Sequence, residues 1–391
     1  MRIAVVGLGV LGASAARALA HAGASVTVLE RSGPLAGTTG TTFAWVNSHS
    51  KDPRSYHDLN VAGMEEHSVL ARSGNGQPAW FHRTGNLEWA GDEAGAERLA
   101  RSVARLRDRD YPVDWITPRA ARELVPDLRV PEGVRDVAYY PTEGYVLPSL
   151  LLARLWGEAR DAGAVLRCPA EVVGLTESRD GVRVELADGD EVRADAVVLA
   201  AGRWSESVSA LAGHRIPMAS PDVAGSATVG FLGWTTPVAA RVDRVLTTPT
   251  LNVRPDGGGR LVVQGLDLDV DADPAKRPSP DGEHARTLLA RLAGLVDGTE
   301  GARLESLRVG QRSLPADGHP VCGFLGESSR VYAMATHSGI TLGPLLGRLA
   351  AQEVLGGEPS ELLADFRPQR WEGVDPAELP ALRPARFAGQ Q

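Results

Sequence analysis

The chain has 391 residues, which at about 150 residues per domain is too long for a single ordinary domain. With 43% hydrophobic and 23% charged residues it can bury a core, which excludes bulk disorder. The net charge is -8 with no basic cluster or repeated aromatic–basic pattern, so neither nucleic acid nor an anionic membrane is an expected partner.

Met1 to Gly7 has neither the long apolar region nor the small-residue cleavage site of a secretion signal. Ile3-Ala4-Val5-Val6 has the character of a buried parallel strand and runs into Gly7-Leu8-Gly9-Val10-Leu11-Gly12. Leu11, Ala15, Ala18 and Leu19 then follow helical spacing, with Gly23 as the stop. Val26 to Leu29 predicts a second strand ending at Glu30. In this order Gly7 permits the tight turn, Gly9 lets a phosphate approach the backbone, and Gly12 lets helix and strand pack closely. Glu30, 23 residues after Gly7, can accept hydrogen bonds from an adenosine ribose. Its charge also disfavours a 2′-phosphorylated cofactor. The unit predicts dinucleotide binding and leaves NAD and FAD both open.

Leu35 to Asn47 combines glycines and threonine hydroxyls suited to a second phosphate region with an abrupt end at Phe43-Ala44-Trp45. His49 and Lys51 follow as candidates for the substrate side. From about 48 to 145 the βαβ rhythm lapses, and helices are expected around 54–73, 93–109 and 118–124. Thr117-Pro118 suits an N-cap and first-turn proline. Glu143 to Val146 leads toward a helix through Leu150–Trp156. Val165 to Cys168 predicts a strand, and Glu171–Leu175 and Val182–Leu186 a small antiparallel insertion with a turn at Asp188-Gly189. Ala196 to Gly202 is an apolar strand ending in glycine, where open α/β sheets collect ligands. Stretches from Ala239 to Leu246 and Leu261 to Gln264 read as a mixed or antiparallel sheet, with a polar, proline-rich loop over about 271–281. Val331 to Ala335 is a last buried strand before His337 to Pro344 and an apolar helix.

The expected architecture is α/β: a Rossmann-like nucleotide-binding domain of residues 1–47, 145–214 and 305–370, interleaved with an α+β substrate domain of residues 48–144 and 215–304 on a mixed or antiparallel sheet. Residues 371–391, with prolines at 376, 380 and 384, read as a tail. No run of about 18 apolar residues predicts a membrane span. Cys168 and Cys322 form neither a CxxC motif nor part of a metal cluster, so no metal is expected. The reading is of a cytoplasmic protein whose oligomeric state is open.

Five blocks, in order, carry a resemblance: Gly7–Gly12 with Glu30, the Thr/Gly loop into Phe43-Ala44-Trp45, Leu199–Ser205, Gly310–Val321 and His337–Pro344. Together, over roughly residues 1 to 370, they resemble the D-amino acid oxidase family of FAD-dependent oxidoreductases, nearest to its glycine oxidase and sarcosine oxidase branch. The resemblance implies that Gly7, Gly9 and Gly12 receive the pyrophosphate of FAD and Glu30 its ribose. Thr38, Thr39, Thr42 and Ala44 would line the cofactor, Val172 would meet the adenine end through its backbone, and Ala201 and Gly202 would close over that half. Gly339, Ile340, Thr341 and Leu342 would lie at the pyrimidine edge, where a helix N-terminus favours reduced, anionic flavin. Leu8, Val10, Leu11, Arg31, Trp45, Trp204 and Arg312 complete the implied cofactor set.

Arg312 also matches the arginine that grips the substrate carboxylate, a task that suits a guanidinium fork. With phenylalanine at 43 and no cysteine near Arg312, noncovalent FAD is implied. His337 stands where glycine oxidase-like members carry a second arginine, which points to a neutral, bulkier or cyclic amine. The implied reaction oxidises an α-amino acid or a secondary or cyclic amino acid to its imine, by hydride transfer from the α carbon to flavin N5. Arg312, His337, His49 and Lys51 are the candidate substrate contacts. No lysine lies between Leu261 and Val270, where sarcosine oxidase-like members place one to assist oxygen, and Lys276 sits in the polar loop. The acceptor, oxygen or another, therefore stays open. Two other readings remain: an NAD-linked dehydrogenase, against which the Ala200–Trp204 and Gly339–Pro344 blocks argue, and a noncatalytic flavin-binding protein.

Overall fold

The computed structural model describes residues 1–73, 79–375 and 378–385. Arg2–Val6 lies inside a six-stranded sheet ordered Val321–Phe324, Val331–Ala335, Ala196–Leu199, Arg2–Val6, Ser25–Leu29 and Val165–Arg167. All neighbours are parallel except Val321–Phe324, which runs antiparallel to Val331–Ala335. Parallel sheets need cover on both faces, and alternation along the first strand supplies it. Ile3 and Val5 pack into a core with the helices Val10–His21, Pro148–Asp161 and Gly339–Val354. Ala4 and Val6 face the other way, into a core shared with the antiparallel sheet of Val172–Ser178, Gly181–Leu186 and Glu191–Ala194.

A second, eight-stranded sheet runs Leu304–Gln311, Val229–Thr235, Leu261–Gln264, Asn252–Pro255, Val245–Thr247, Asn86–Glu88, Val137–Tyr140 and Asp114–Ile116. Its neighbours are antiparallel except for the parallel pair Val245–Thr247 and Asn86–Glu88. The helix Glu283–Leu295 seals its core with Ala285, Leu288 and Leu292. Leu304–Gln311 pairs along its length with Val229–Thr235. The expected return to the nucleotide-binding part at residue 305 therefore falls inside a strand of the second sheet. The strand expected from Ala239 to Leu246 narrows to Val245–Thr247. Upstream, the Arg241 N–H is taken by the Asp127 carboxylate at 2.6 Å, which removes it from any ladder.

The expected helices form as Arg54–Arg72, Glu93–Arg107 and Pro118–Leu124. Asp92 caps the second through the Gly95 N–H at 2.6 Å, and Thr117 caps the third through the Ala120 N–H at 3.2 Å. A small sheet of Trp45–Val46, Gly144–Val146 and Phe81–His82 joins the lobes. At the other end, Glu353 accepts a hydrogen bond from the Tyr332 hydroxyl at 2.9 Å and pairs with Arg367 at 2.7 Å. This folds residues 361–371 back onto the last helix, and Trp371 is only 8% exposed. The expected tail therefore starts after Trp371, not at it; its residues 376, 377 and 386–391 lie outside the described residues. Among the described residues no helix is long and apolar enough to cross a membrane.

The helices Val10–His21 and Gly339–Val354 touch through glycine. A Cβ at Gly347 would stand 2.4 Å from the Ser14 carbonyl carbon and 2.5 Å from the Ser14 Cβ. Gly347→Ala is expected to cost about 1–3 kcal/mol of stability by overpacking, read as a lower denaturant midpoint at unchanged m-value.

Candidate active site

At the end of the first strand the backbone turns at Gly7 with φ +103°, a region that favours glycine. A Cβ there would lie 2.6 Å from the Ala200 carbonyl oxygen, and one at Gly12 would lie 1.9 Å from the Gly7 carbonyl oxygen. The helix Val10–His21 can thus start directly above the strand, with its first N–H groups facing a cavity. Thr39 Oγ1 accepts from the Val10 N–H at 3.1 Å. The Glu30 carboxylate accepts from the N–H groups of Leu8 and Ser32, each at 2.8 Å.

The cavity has a volume of about 590 Å³. Gly7, Leu8, Gly9, Val10 and Leu11 form its floor, and Glu30, Arg31 and Val172 line one end with Ala201, Gly202 and Trp204. Thr38, Thr39 and Thr42 lead to the other end at His337, Gly339 and Ile340. The Trp204 ring lies between the guanidinium groups of Arg31, 4.5 Å away, and Arg203, 3.8 Å away. Gly12 does not reach the cavity, because it is spent on the contact with Gly7.

A second cavity of about 100 Å³ adjoins the first and shares Thr38, Thr42, His337 and Ile340 with it. Ala44, Trp45 and Thr341 line it, together with Lys51, Gln264 and Arg312. Leu342 lines neither cavity; it is fully buried, against Gly63. Arg312 is held in place. Its Nη1 donates to the carbonyls of Ala227 at 2.9 Å and Val229 at 2.5 Å, and its Nη2 to the buried Asp269 at 3.0 Å. Those bonds use three of the five N–H donors of a guanidinium. Burial, with the charges of Lys51 and Arg312 nearby, pushes His337 down to about 3, so its imidazole is neutral. Burial also draws Lys51 down to about 8, against the opposing pull of Glu143.

His49 lies elsewhere. Its ring stacks on Tyr140 with centroids 4.7 Å apart, and its Nδ1 is 3.0 Å from Glu143 Oε1. It is 2% exposed and borders a third cavity, of about 660 Å³, with Glu88 and Trp89. Burial opposes its charge, but Glu143, by charge and hydrogen bond, and Glu88 outweigh that and raise its pKa. The chain therefore brings Arg312, Lys51 and His337 together and sets His49 behind them.

A family model described as FAD dependent oxidoreductase matches residues 2–353, and the chain belongs to that family. Among curated relatives, the 4-methylaminobutanoate oxidase (formaldehyde-forming) of Paenarthrobacter nicotinovorans is 25% identical over 95% of this chain and 46% of its own length. The tRNA 5-methylaminomethyl-2-thiouridine biosynthesis bifunctional protein MnmC of Thiobacillus denitrificans is 29% identical over 100% of this chain and 60% of its own length. The chain thus spans about half the length of these relatives. Among solved structures, glycine oxidase from Geobacillus kaustophilus superposes with a TM-score of 0.79 at 27% identity, covering 94% of this chain and 99% of that one.

Three residues of the site escaped the sequence reading. Asp269, the partner of Arg312, sits in Leu266–Asp271, where acids alternate with apolar residues and nothing marks one as buried. Gln264 ends a strand read only as part of a mixed or antiparallel sheet. Glu143 carried a signal, being an acid at the edge of the apolar run Tyr145–Leu147. For Lys51 the unfolded chain binds more protons than the folded one between about pH 8 and 10.5. Stability contributed at this position therefore rises with pH across that window. Lys51→Met is expected to remove the rise, as measured by denaturant unfolding across the same range.

Proposed function

We propose that this chain, as a member of that family, oxidises a small amino acid at its α carbon, acting on a primary, secondary or cyclic amine. In this reading FAD is held noncovalently in the glycine-floored cavity and the substrate in the smaller cavity beside it. The observation that carries the reading is the convergence of Arg312, Lys51 and a neutral His337 on a space sharing walls with the first cavity. The names of two relatives support the substrate class: one is an oxidase of 4-methylaminobutanoate and the other of glycine, each an amine and a carboxylate in one molecule.

The fit to FAD rests on the floor. Gly7 and Gly12 admit no side chain, and the first turn of Val10–His21 presents N–H groups for a pyrophosphate. Glu30 stands at the end where the hydroxyls of a ribose would donate to its carboxylate. The N-terminus of Gly339–Val354 points its positive end at the far wall. Neither cysteine lines either cavity, which supports noncovalent binding. Residues 1–47, 145–214 and the stretch after Arg312 would then hold the nucleotide, and 48–144 with 215–312 the substrate.

FAD held there would supply a two-electron acceptor for the hydride lost as the amine becomes an imine. Arg312 anchors the substrate carboxylate with the N–H donors left by its three bonds. Because Asp269 and two carbonyls already fix the fork, little reorganisation is needed on binding. His337 adds no charge and leaves room for a neutral N-substituent or ring. Phe43, Trp45 and Leu232 wall the space with apolar surface and limit water at the reacting carbon. Electrons leave afterwards to oxygen or another acceptor.

The purified protein is expected to be yellow and to bleach anaerobically with one of a panel of D-amino acids, N-methyl amino acids and cyclic imino acids. Protein that takes up no FAD, or whose flavin no amine reduces, refutes the reading. Reoxidation by air identifies oxygen as the acceptor. Arg312→Ala is expected to weaken binding of a carboxylate substrate roughly 10- to 100-fold, the cost of a lost charged hydrogen bond, in a titration of flavin absorbance. Arg312→Lys should not restore it, since a point charge lacks the fork.

A further inference from the structure

Behind Lys51 lies a cluster of buried ionisable side chains that neither binding nor hydride transfer uses. Glu143 is fully buried and accepts from the Trp45 Nε1–H at 3.0 Å and the Tyr111 hydroxyl at 2.8 Å, with His49 Nδ1 at 3.0 Å. The other ring nitrogen of His49, Nε2, is buried, makes no hydrogen bond among the described residues, and lies 3.7 Å from Glu88 Oε2. Glu88 accepts from the Tyr140 hydroxyl at 3.0 Å. His49 and Glu88 border the cleft that Trp89, Arg98 and Arg105 help to form. That cleft and the substrate cavity have no lining residue in common. Lys51 lines the substrate cavity and interacts electrostatically with Glu143 and His49. Lys51 thus faces one cavity and His49 and Glu88 the other, with Glu143 hydrogen-bonded to His49 between them.

We infer that Lys51, Glu143, His49 and Glu88 form a proton-release route, from the substrate amine to the cleft beside Trp89. The inference rests on the reading that the substrate is an amine. An amino acid arrives as an ammonium, and its nitrogen lone pair is needed to expel hydride from the α carbon. One N–H bond of the ammonium breaks and one N–H bond forms on neutral Lys51; no electron moves. Lys51 then gives its proton to Glu143, and His49 and Glu88 pass a proton on to solvent, so each group returns to its starting state. The four-carbon stem of Lys51 allows its amine to move between substrate and Glu143.

The neighbouring charges suit these roles. Burial raises the Glu88 carboxyl from its ordinary value, opposed by His49 and by the Tyr140 hydrogen bond. Tyr111 and Tyr140 are pushed well above the ordinary phenol range by burial and by the carboxylates beside them; they donate to Glu143 and Glu88, and Tyr111 also accepts from the Ser48 N–H at 3.2 Å. On the cavity side, neutral His337 feels both Lys51 and Arg312, and the Tyr56 ring lies 5.8 Å from the Lys51 ammonium. None of these offers a competing sink for the proton.

The test is anaerobic stopped-flow reduction of the flavoprotein, in H₂O and D₂O across pH, with an amino acid that reduces the unmodified protein. Glu88→Gln sits at the outer end of the route, keeps an acceptor for Tyr140, and lines neither the glycine-floored cavity nor the smaller one beside it. It is expected to slow reduction roughly tenfold or more on the acid side, and to enlarge the solvent isotope effect, while FAD affinity stays unchanged. His49→Gly should be slowed likewise and recover on addition of imidazole. A Glu88→Gln rate, pH profile and isotope effect equal to those of the unmodified protein overturn the route. Failure of any amine to reduce the unmodified flavoprotein refutes the underlying reading instead. A second readout needs no turnover. The chain has only Lys51 and Lys276, so ¹³C-methylation of lysine followed by NMR titration resolves each. Glu143→Gln is expected to move the Lys51 midpoint down from about 8, and an unmoved midpoint breaks the link between them.

Discussion

A carbonyl oxygen stands where a side chain at residue 12 would have to go, 1.9 Å from the Cβ that only glycine omits. The rest of the site depends on that contact. It lets the first helix rise directly from the first strand, so that the N–H groups of its first turn end up at the carboxyl end of the sheet. That turn is tied to the second lobe through another segment: the Val10 N–H donates to Thr39 Oγ1 at 3.1 Å, and Thr38 Oγ1 donates to the Gln311 carbonyl at 2.8 Å, one residue before Arg312. The glycine turn and Arg312 are therefore joined through two adjacent threonines, though they lie at the ends of different sheets.

Charge in the smaller cavity is balanced pair by pair. Arg312 faces Asp269 at 3.0 Å, and Lys51 has Glu143 behind it. Buried cations without partners would be costly, and cations fully spent on partners could not bind a ligand. The compromise is visible in the two side chains. Arg312 retains its charge and is fixed by neutral carbonyls as well as one carboxylate. Lys51 has had its affinity for a proton reduced by burial. Between them His337 stays neutral, so the cavity carries no third positive charge.

Much of the nucleotide half was legible because its signals are local. Gly7, Gly12 and Glu30 lie within one strand–helix–strand unit, and the spacing alone predicts the turn, the close packing and the acid at the strand's end. The residues around the smaller cavity were legible as individuals and not as an arrangement. Nothing within ten residues of His49 shows that it will meet Glu143, 94 positions away. That meeting is made by the small sheet in which Trp45 pairs with Tyr145. Arg312 and Asp269 are likewise joined only because Leu304–Gln311 crosses to the second sheet. Its sequence, LESLRVGQ, lacks strict alternation, and even a clean strand pattern names a face and not a neighbour.

The interleaving has a consequence for how the chain comes into being. Arg2–Val6 is made long before its partner on one side: Ile3 pairs with Ala196, and the strand beyond that begins at Val331. At ribosomal rates of about 5–20 residues per second, the strand waits on the order of ten seconds for Ala196–Leu199. Val331–Ala335 comes later still, and Arg367, which pairs with Glu353 of the last helix, comes after it. Until then the glycine-rich turn has only Ser25–Leu29 to pair with, and its sheet closes on the other side when these distant segments arrive.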